Sequence, residues 1–344
     1  YGDHRDLHSF PTRRSSDLKL GANVLGSAKK AINDSVKYAN ERKQFGVLIG
    51  SFGAIKHKLA EQVIRLFACE SAVYRVSKDI DDLIVKLKTD CGDTGRATID
   101  AISHYAVEAA ILKVVGSEML DFVADEAVQI HGGMGYSAEM DVERAYRDSR
   151  INRIFEGTNE INRLLVSDTA MKRAMKGDFN LFGKAAELWD NLDKIQETII
   201  KAGDYHEGKS EYLKNFKKVI LICIHAAVKK FEKTLVNEQE VLNNIAEMIM
   251  ETYLSESLAL RIRKLESLKS DISVYKDILD VNIYDASHKI RKAAHDAVFS
   301  FSEGEQAENV IKAVNLLTTV NGLNVKAARR RIAEKLIEDN SYKF

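Results

Sequence analysis

The chain has 344 residues, 45% apolar and 30% charged, with 51 Lys plus Arg against 51 Asp plus Glu. That supplies enough length and apolar content for one or two packed cores and excludes a disordered chain. Balanced charge removes the long-range field a nucleic-acid binder uses, and no run of 18 apolar residues predicts a transmembrane helix.

Residues 1–18 hold the only proline, Pro11, inside a polar run, Leu7-His-Ser-Phe-Pro-Thr-Arg-Arg-Ser-Ser-Asp-Leu18. The run lacks the apolar stretch of a secretory signal and changes character abruptly at Lys19-Leu20-Gly21. It is similar to translated sequencing-adapter sequence, so 1–18 is read as a foreign segment and the fold is expected to start at 19.

From there the pattern is helical. Val24, Leu25, Ala28, Ile32, Val36 and Ala39 keep helical spacing and predict a helix stopping near Phe45-Gly46. Ile55, Leu59, Val63, Ile64, Phe67, Val73, Val76 and Ile80 predict a second long helix, broken by Cys91-Gly-Asp-Thr-Gly95. Apolar positions from Ile99 to Val128 predict a helical stretch over 97–130 that ends at a glycine loop; short helices follow at about 139–148 and 158–175. The expectation is all-α: a four-helix-bundle domain over 19–177, with Lys176-Gly177-Asp178 as the boundary to a second helical domain, 178–344.

Beyond the boundary, Leu181, Phe182, Ala185, Leu188, Trp189, Leu192, Ile195 and Ile199 form an amphipathic stripe. Its surroundings from 178 to 201 carry Lys184, Lys194 and Lys201 against Asp178, Glu187, Asp190, Asp193 and Glu197, a net negative charge. Such a face gains nothing from anionic lipid, so packing is favoured over peripheral membrane contact. A loop is expected from Gly203 to Gly208, then helical runs near 210–235, 238–268, 273–300 and 303–338, forming a second bundle without a glycine-rich segment.

Cys69, Cys91 and Cys223 are far apart and odd in number, which indicates neither a disulfide framework nor a zinc site, and the nine histidines show no ligand spacing. No metal is expected. A reducing compartment fits: the cytoplasm of a bacterium, or the mitochondrion of a eukaryote.

The chemistry concentrates in Gln129-Ile-His-Gly-Gly-Met-Gly-Tyr136, Arg147-Asp148 and Ile154-Phe-Glu-Gly-Thr-Asn-Glu-Ile161. Gly132, Gly133 and Gly135 let backbone approach a bulky ligand. His131 reads as a packing or hydrogen-bonding residue. Glu156 stands between apolar Ile154-Phe155 and Gly157, just before Thr158, a suitable N-cap. Apolar neighbours favour its neutral acid and free amides at a helix start favour its anion, the opposed influences that tune a general base. By local pattern alone it reads more readily as a first-turn helix carboxylate without a task.

The ordered set Arg42-Lys-Gln-Phe45-Gly46, Lys58-Leu-Ala60, Gln129-Ile-His-Gly-Gly133, Arg147-Asp148 and Glu156-Gly-Thr158 resembles the C-terminal helical domain of acyl-CoA dehydrogenases. Phe52-Gly53-Ala-Ile-Lys-His-Lys-Leu59, with Gly53 where many relatives carry Gln, and Val236-Asn-Glu-Gln239 before a long helical run are similar to the very-long-chain members with an extra C-terminal domain.

This resemblance implies that Glu156 takes the α-proton of a long or very-long-chain acyl-CoA while FAD accepts the β-hydrogen as hydride, giving a trans-2-enoyl-CoA in fatty-acid β-oxidation. Arg42 and Phe45 match residues reaching the FAD of the neighbouring subunit, the arginine at its pyrophosphate. Gln129, Gly132 and Gly133 match the segment lying along that FAD, Thr158 and Glu160 match cofactor contacts, and Phe155 and Gly157 match residues beside the thioester. It further implies a homodimer sharing FAD, reoxidation by an electron-transferring flavoprotein, and absence from this chain of the family's N-terminal helical domain and β-barrel, leaving a fragment inactive alone. The alternatives are an acyl-CoA oxidase, or a non-catalytic helical scaffold of the same family.

Overall fold

The computed structural model describes residues 11–195 and 204–344. The expectations for residues 1–10, for Ile199 and for the loop start at Gly203 lie outside the described residues. Two compact units are formed, Tyr1–Asn162 with Ile332–Phe344, and Arg163–Arg331.

In the first unit, helix α1 spans Pro11–Glu41, α2 Gly53–Cys91, α3 Thr94–His104, α4 Ala106–His131 and α5 Asp141–Ile151. The segment read as foreign thus joins α1 without a break from Pro11 onward. Ala28, Ile32 and Val36 of α1, Leu59, Val63 and Phe67 of α2, and Ile111, Leu112 and Val123 of α4 are buried as their spacing predicts. Where α1 crosses α4 the backbones come close: a Cβ on Gly21 would meet the Leu112 Cβ at 3.0 Å, and one on Gly116 would meet the Val24 Cγ2 at 3.0 Å. Gln62 of α2, fully buried, donates through Nε2 to the Val123 carbonyl at 2.9 Å, which satisfies its amide nitrogen.

Two boundaries in this unit differ from the sequence reading. The first helix ends at Glu41, and Lys43–Gln44 (β1) pairs antiparallel with Val47–Leu48 (β2) across a two-residue turn. Phe45 (φ 52°) and Gly46 (φ 83°) both take positive φ, the geometry a tight hairpin needs. The stretch over 97–130 is broken at Tyr105; no glycine or proline stands there, so the apolar periodicity runs through the joint unmarked. Cys91-Gly-Asp-Thr-Gly95 acts as expected: Gly92 ends α2 in the left-handed region, and Asp93 caps α3 by accepting from Gly95 N at 2.8 Å.

Helix α6, Asn159–Met175, opens in the first unit and runs on through Asn162–Arg163, where the units divide. Lys176-Gly177-Asp178 closes it: Gly177 has φ 89° and the Asp178 N–H donates to the Arg173 carbonyl at 3.1 Å.

In the second unit follow α7 (Leu181–Trp189), α8 (Tyr205–Phe231), α9 (Gln239–Glu266), α10 (Ser273–Phe301), α11 (Gly304–Leu317) and α12 (Val325–Asp339), the last ending within the residues of the first unit. Gly208, expected in a loop, lies inside α8, which Asp204 caps by accepting from His206 N at 2.8 Å. The run over 303–338 is two helices, parted at 318–324 around Asn321-Gly322. Phe216, Ile222, Ile245, Met248, Ile278 and Leu279 are fully buried, and Arg331 clamps Asp277 with two hydrogen bonds of 2.7 and 2.6 Å.

Candidate active site

All the candidate residues belong to the first unit, and they fall into two groups linked by α4. At its C-terminal end, Gly132 adopts φ 60° and ψ −142°, which no residue with a Cβ takes easily, and the chain turns into a short 3-10 segment, Gly132–Tyr136. His131 is buried there. Its Nδ1 donates to the Ala127 carbonyl at 2.7 Å and its ring stacks on Tyr38, so the packing role expected of it is what the structure shows. Tyr38 in turn accepts at its carbonyl from Arg42 N, 2.9 Å, which ties the hairpin carrying Arg42 and Phe45 to the glycine segment.

Gln129, Gly132, Gly133, Arg42 and Phe45 are all exposed. Phe45 is 93% exposed and Tyr136 85%. Arg42 has no ion-pair partner among the described residues. The glycines differ instructively. A Cβ on Gly135 would lie 2.5 Å from the Val128 carbonyl oxygen, so the chain itself demands glycine; one on Gly133 would meet nothing within 4 Å, and its φ is not in the left-handed region. Nothing inside the chain therefore requires glycine at 133.

The second group sits on the turn between α5 and α6. Phe155 N donates to the Ile151 carbonyl at 3.1 Å and Asn159 N to the Arg153 carbonyl at 3.1 Å, closing a loop of residues 154–158. At its apex Glu156 has φ 55° and Gly157 φ 90°. A left-handed glutamate costs about 1–2 kcal/mol, so the surroundings must impose it. Asn162 does part of this, its Nδ2 donating to the Gly157 and Thr158 carbonyls at 2.9 and 3.1 Å. Thr158 Oγ1 accepts from Ile161 N at 3.5 Å, the capping role expected of it.

The Glu156 carboxylate is exposed and accepts from Ser16 Oγ at 3.1 Å. Phe155 is 42% and Ile154 47% exposed, so the apolar neighbours expected to enclose the carboxylate do not do so within this chain. Gly157 and Thr158 are half-buried and Glu160 is exposed. Arg147 and Asp148 stand on the exposed face of α5, where Arg147 pairs with Glu143 one turn away.

Asn159 was not singled out by sequence, yet it anchors the turn to α4 through Lys113, Ser117 and Glu118. The signal was available: Lys113 interrupts Ile111-Leu112 and Val114 on a face that is otherwise apolar. Ser117 and Gln129 lie twelve residues apart on α4, about 18 Å at 1.5 Å per residue. The glycine segment and the Glu156 turn are thus separate surfaces, and a ligand touching both in one copy would have to span nearly half of the 26-residue helix.

The model for the acyl-CoA dehydrogenase C-terminal domain matches residues 17–171, and a second model of that description matches 215–315. A probable acyl-CoA dehydrogenase of Bacillus subtilis is 37% identical over 326 residues, 94% of this chain and 55% of that protein. The mitochondrial very long-chain specific acyl-CoA dehydrogenase of Rattus norvegicus is 32% identical over 255 residues, 68% of this chain and 36% of that protein. Among solved structures, an acyl-CoA dehydrogenase complexed with FAD from Bacillus anthracis aligns with a TM-score of 0.93 at 36% identity, covering 98% of this chain and 57% of that one. The chain spans about half the length of these Bacillus relatives, and with both matched regions, its helical architecture and the Glu156 turn it belongs to the acyl-CoA dehydrogenase family.

Proposed function

We propose that the protein to which this chain contributes is an FAD-dependent dehydrogenase that introduces a trans C2–C3 double bond into long or very-long-chain acyl-CoA. The observation that carries this is Glu156 itself, an exposed carboxylate locked in the left-handed region on a closed loop, with Phe155 exposed beside it and Gly157 leaving the approach open. A base for a weak carbon acid needs such a fixed carboxylate more than it needs a particular neighbour.

The residues fit FAD. Gly133 leaves a cradle that a Cβ would fill although nothing in the chain requires glycine there, and Arg42 offers a guanidinium fork suited to a pyrophosphate. Phe45, Gln129 and Gly132 complete that surface, while Thr158 and Glu160 would meet the cofactor near the base. Bound FAD supplies the hydride acceptor for the β-hydrogen. Glu156 takes the α-proton on a carboxylate oxygen, Phe155 and Gly157 flank the thioester, and exclusion of water by the acyl chain strengthens the electrostatics of proton transfer.

The Glu156 turn is held at Ser117 and Asp121, about 12–18 Å along α4 from Gln129, and this separation within one copy supports a homodimer in which each copy lends its glycine segment and hairpin to the FAD of the other. An electron-transferring flavoprotein is the proposed oxidant, and a reducing compartment, bacterial cytoplasm or mitochondrion, suits the free Cys69, Cys91 and Cys223.

The test is anaerobic bleaching of bound flavin by acyl-CoA in the full-length protein. Glu156→Gln is expected to lower its rate by about 10²–10⁴-fold, the span of a positioned general base, and retained bleaching would refute the assignment. Repeating the wild-type turnover with and without oxygen separates a dehydrogenase from an oxidase. A protein that holds no flavin supports the scaffold alternative.

A further inference from the structure

We propose that Asn159, clamped by the buried Lys113 and Ser117 and the half-buried Glu118 of α4, is a positioning residue that sets the aim of the Glu156 carboxylate. The inference rests on Glu156 being the base. The clamp is a buried polar network: Lys113 and Ser117 are fully buried and Asn159 is 2% exposed. Lys113 Nζ donates to Asn159 Oδ1 at 2.7 Å, Asn159 Nδ2 donates to Ser117 Oγ at 3.0 Å and to Glu118 Oε1 at 3.0 Å. Both amide hydrogens and the carbonyl oxygen of this side chain are therefore used, which an isosteric leucine could not reproduce.

The amide does not touch Glu156. It acts through the backbone, since the same residue's N–H donates to the Arg153 carbonyl at 3.1 Å and so forms the neck of the loop 154–158. Asn162 holds the far side of that loop at the Gly157 and Thr158 carbonyls. Arg153 is itself within 3.4 Å of Asp121 on α4, so both ends of the neck are fastened to the same helix.

Burying an ammonium is expensive unless it is well matched, and packing alone would be served by a methionine in the place of Lys113. What the charge-assisted bond adds is direction: it fixes the rotation of the Asn159 amide, hence the start of α6, hence the left-handed apex that presents the carboxylate. A base misplaced by about an ångström loses on the order of a hundredfold in rate.

The test uses Asn159→Ala and Lys113→Met in the full-length protein, with two readouts. The first needs no turnover: amide hydrogen exchange of a peptide covering residues 153–160 is expected to rise about tenfold or more in each variant, while a peptide from Met248–Ile262 in α9 exchanges as in wild type. The second is kinetic: kcat for anaerobic flavin reduction is expected to fall about 10–100-fold with KM for acyl-CoA little changed, and the two variants are expected to be less than additive because they break one bond. Unchanged exchange at 153–160, or loosening of both peptides together, overturns the positioning role. So does a loss in KM alone. If wild type reduces no flavin, the enzymatic reading fails by itself, and the exchange arm still decides whether the clamp holds the turn. Should either variant fail to fold, Asn159→Asp decides with the same two readouts, because it keeps an acceptor for the Lys113 ammonium while losing the Nδ2 bonds to Ser117 and Glu118.

Discussion

Tyr38 and His131 stack with their ring centroids 4.2 Å apart and their planes 26° from parallel. The pair joins the end of α1, just before the hairpin of Arg42 and Phe45, to the end of α4, just before the glycine segment. Two proposed cofactor surfaces distant in sequence thereby become one.

That stack is expected to matter for cofactor retention. His131→Ala removes an aromatic contact worth about 0.5–1.5 kcal/mol along with the Nδ1 bond to Ala127. Flavin content after gel filtration of the full-length variant should fall, while its helical content by circular dichroism stays at the wild-type level. Full flavin retention would show that the hairpin and glycine segment do not act together.

The glycines separate folding from binding. Gly135→Ala drives a Cβ into the Val128 carbonyl and is expected to destabilise the first unit by about 1–3 kcal/mol in denaturant titration. Gly133→Ala has open space and is expected to leave the midpoint unchanged while weakening FAD. The reverse ranking would remove the argument that Gly133 serves an external ligand.

Glu156→Gly parts strain from catalysis. Glycine accepts φ near 55° without the Cβ penalty, so this variant is expected to gain about 1 kcal/mol in stability and lose flavin reduction. A loss of stability would mean that the glutamate side chain, rather than the backbone clamp, holds the turn.

Thiol chemistry is expected to be selective. Burial pushes the Cys69 and Cys223 thiols up to about 12, with the neighbouring Glu70 adding to the rise at Cys69, whereas Cys91 is exposed. Of the three thiols of this chain, peptide mapping after a disulfide reagent should find Cys91 alone modified in the native protein and all three after unfolding in urea. The folded state keeps these two protons that the unfolded chain releases above 9.0, so stability is expected to fall as pH rises from about 9 towards 12. Three fast thiols in the native protein would contradict the burial of both helices' inner faces.

Much of this was legible in the sequence because helical burial is periodic. Ile32, Val36, Leu59, Val63 and Phe67 are buried where their spacing put them, and Gly92-Asp93 ends one helix and caps the next through residue types that favour those conformations. The hairpin at 43–48 escaped notice because two residues per strand are too few for an alternating pattern. The break at Tyr105 went unmarked because apolar residues continue across it, whereas Asn321-Gly322 within 318–324 carries a turn signal that the helical reading of 303–338 passed over.

For the site, the resemblance carried by ordered motifs marked Glu156, the glycine segment, Arg42 and Phe45, whereas local pattern alone left each of them an ordinary structural reading. Sequence by itself therefore determined the helical architecture and the family, and singled out Glu156 as the proposed base. Only tertiary structure decided that Tyr38 meets His131, that the buried Lys113 of α4 reaches Asn159 across 46 positions of chain, and that Gly135 answers to its own fold while Gly133 does not. Those relations depend on which helix faces meet in space, and a pattern along one chain carries the phase of each face but not the identity of its partner.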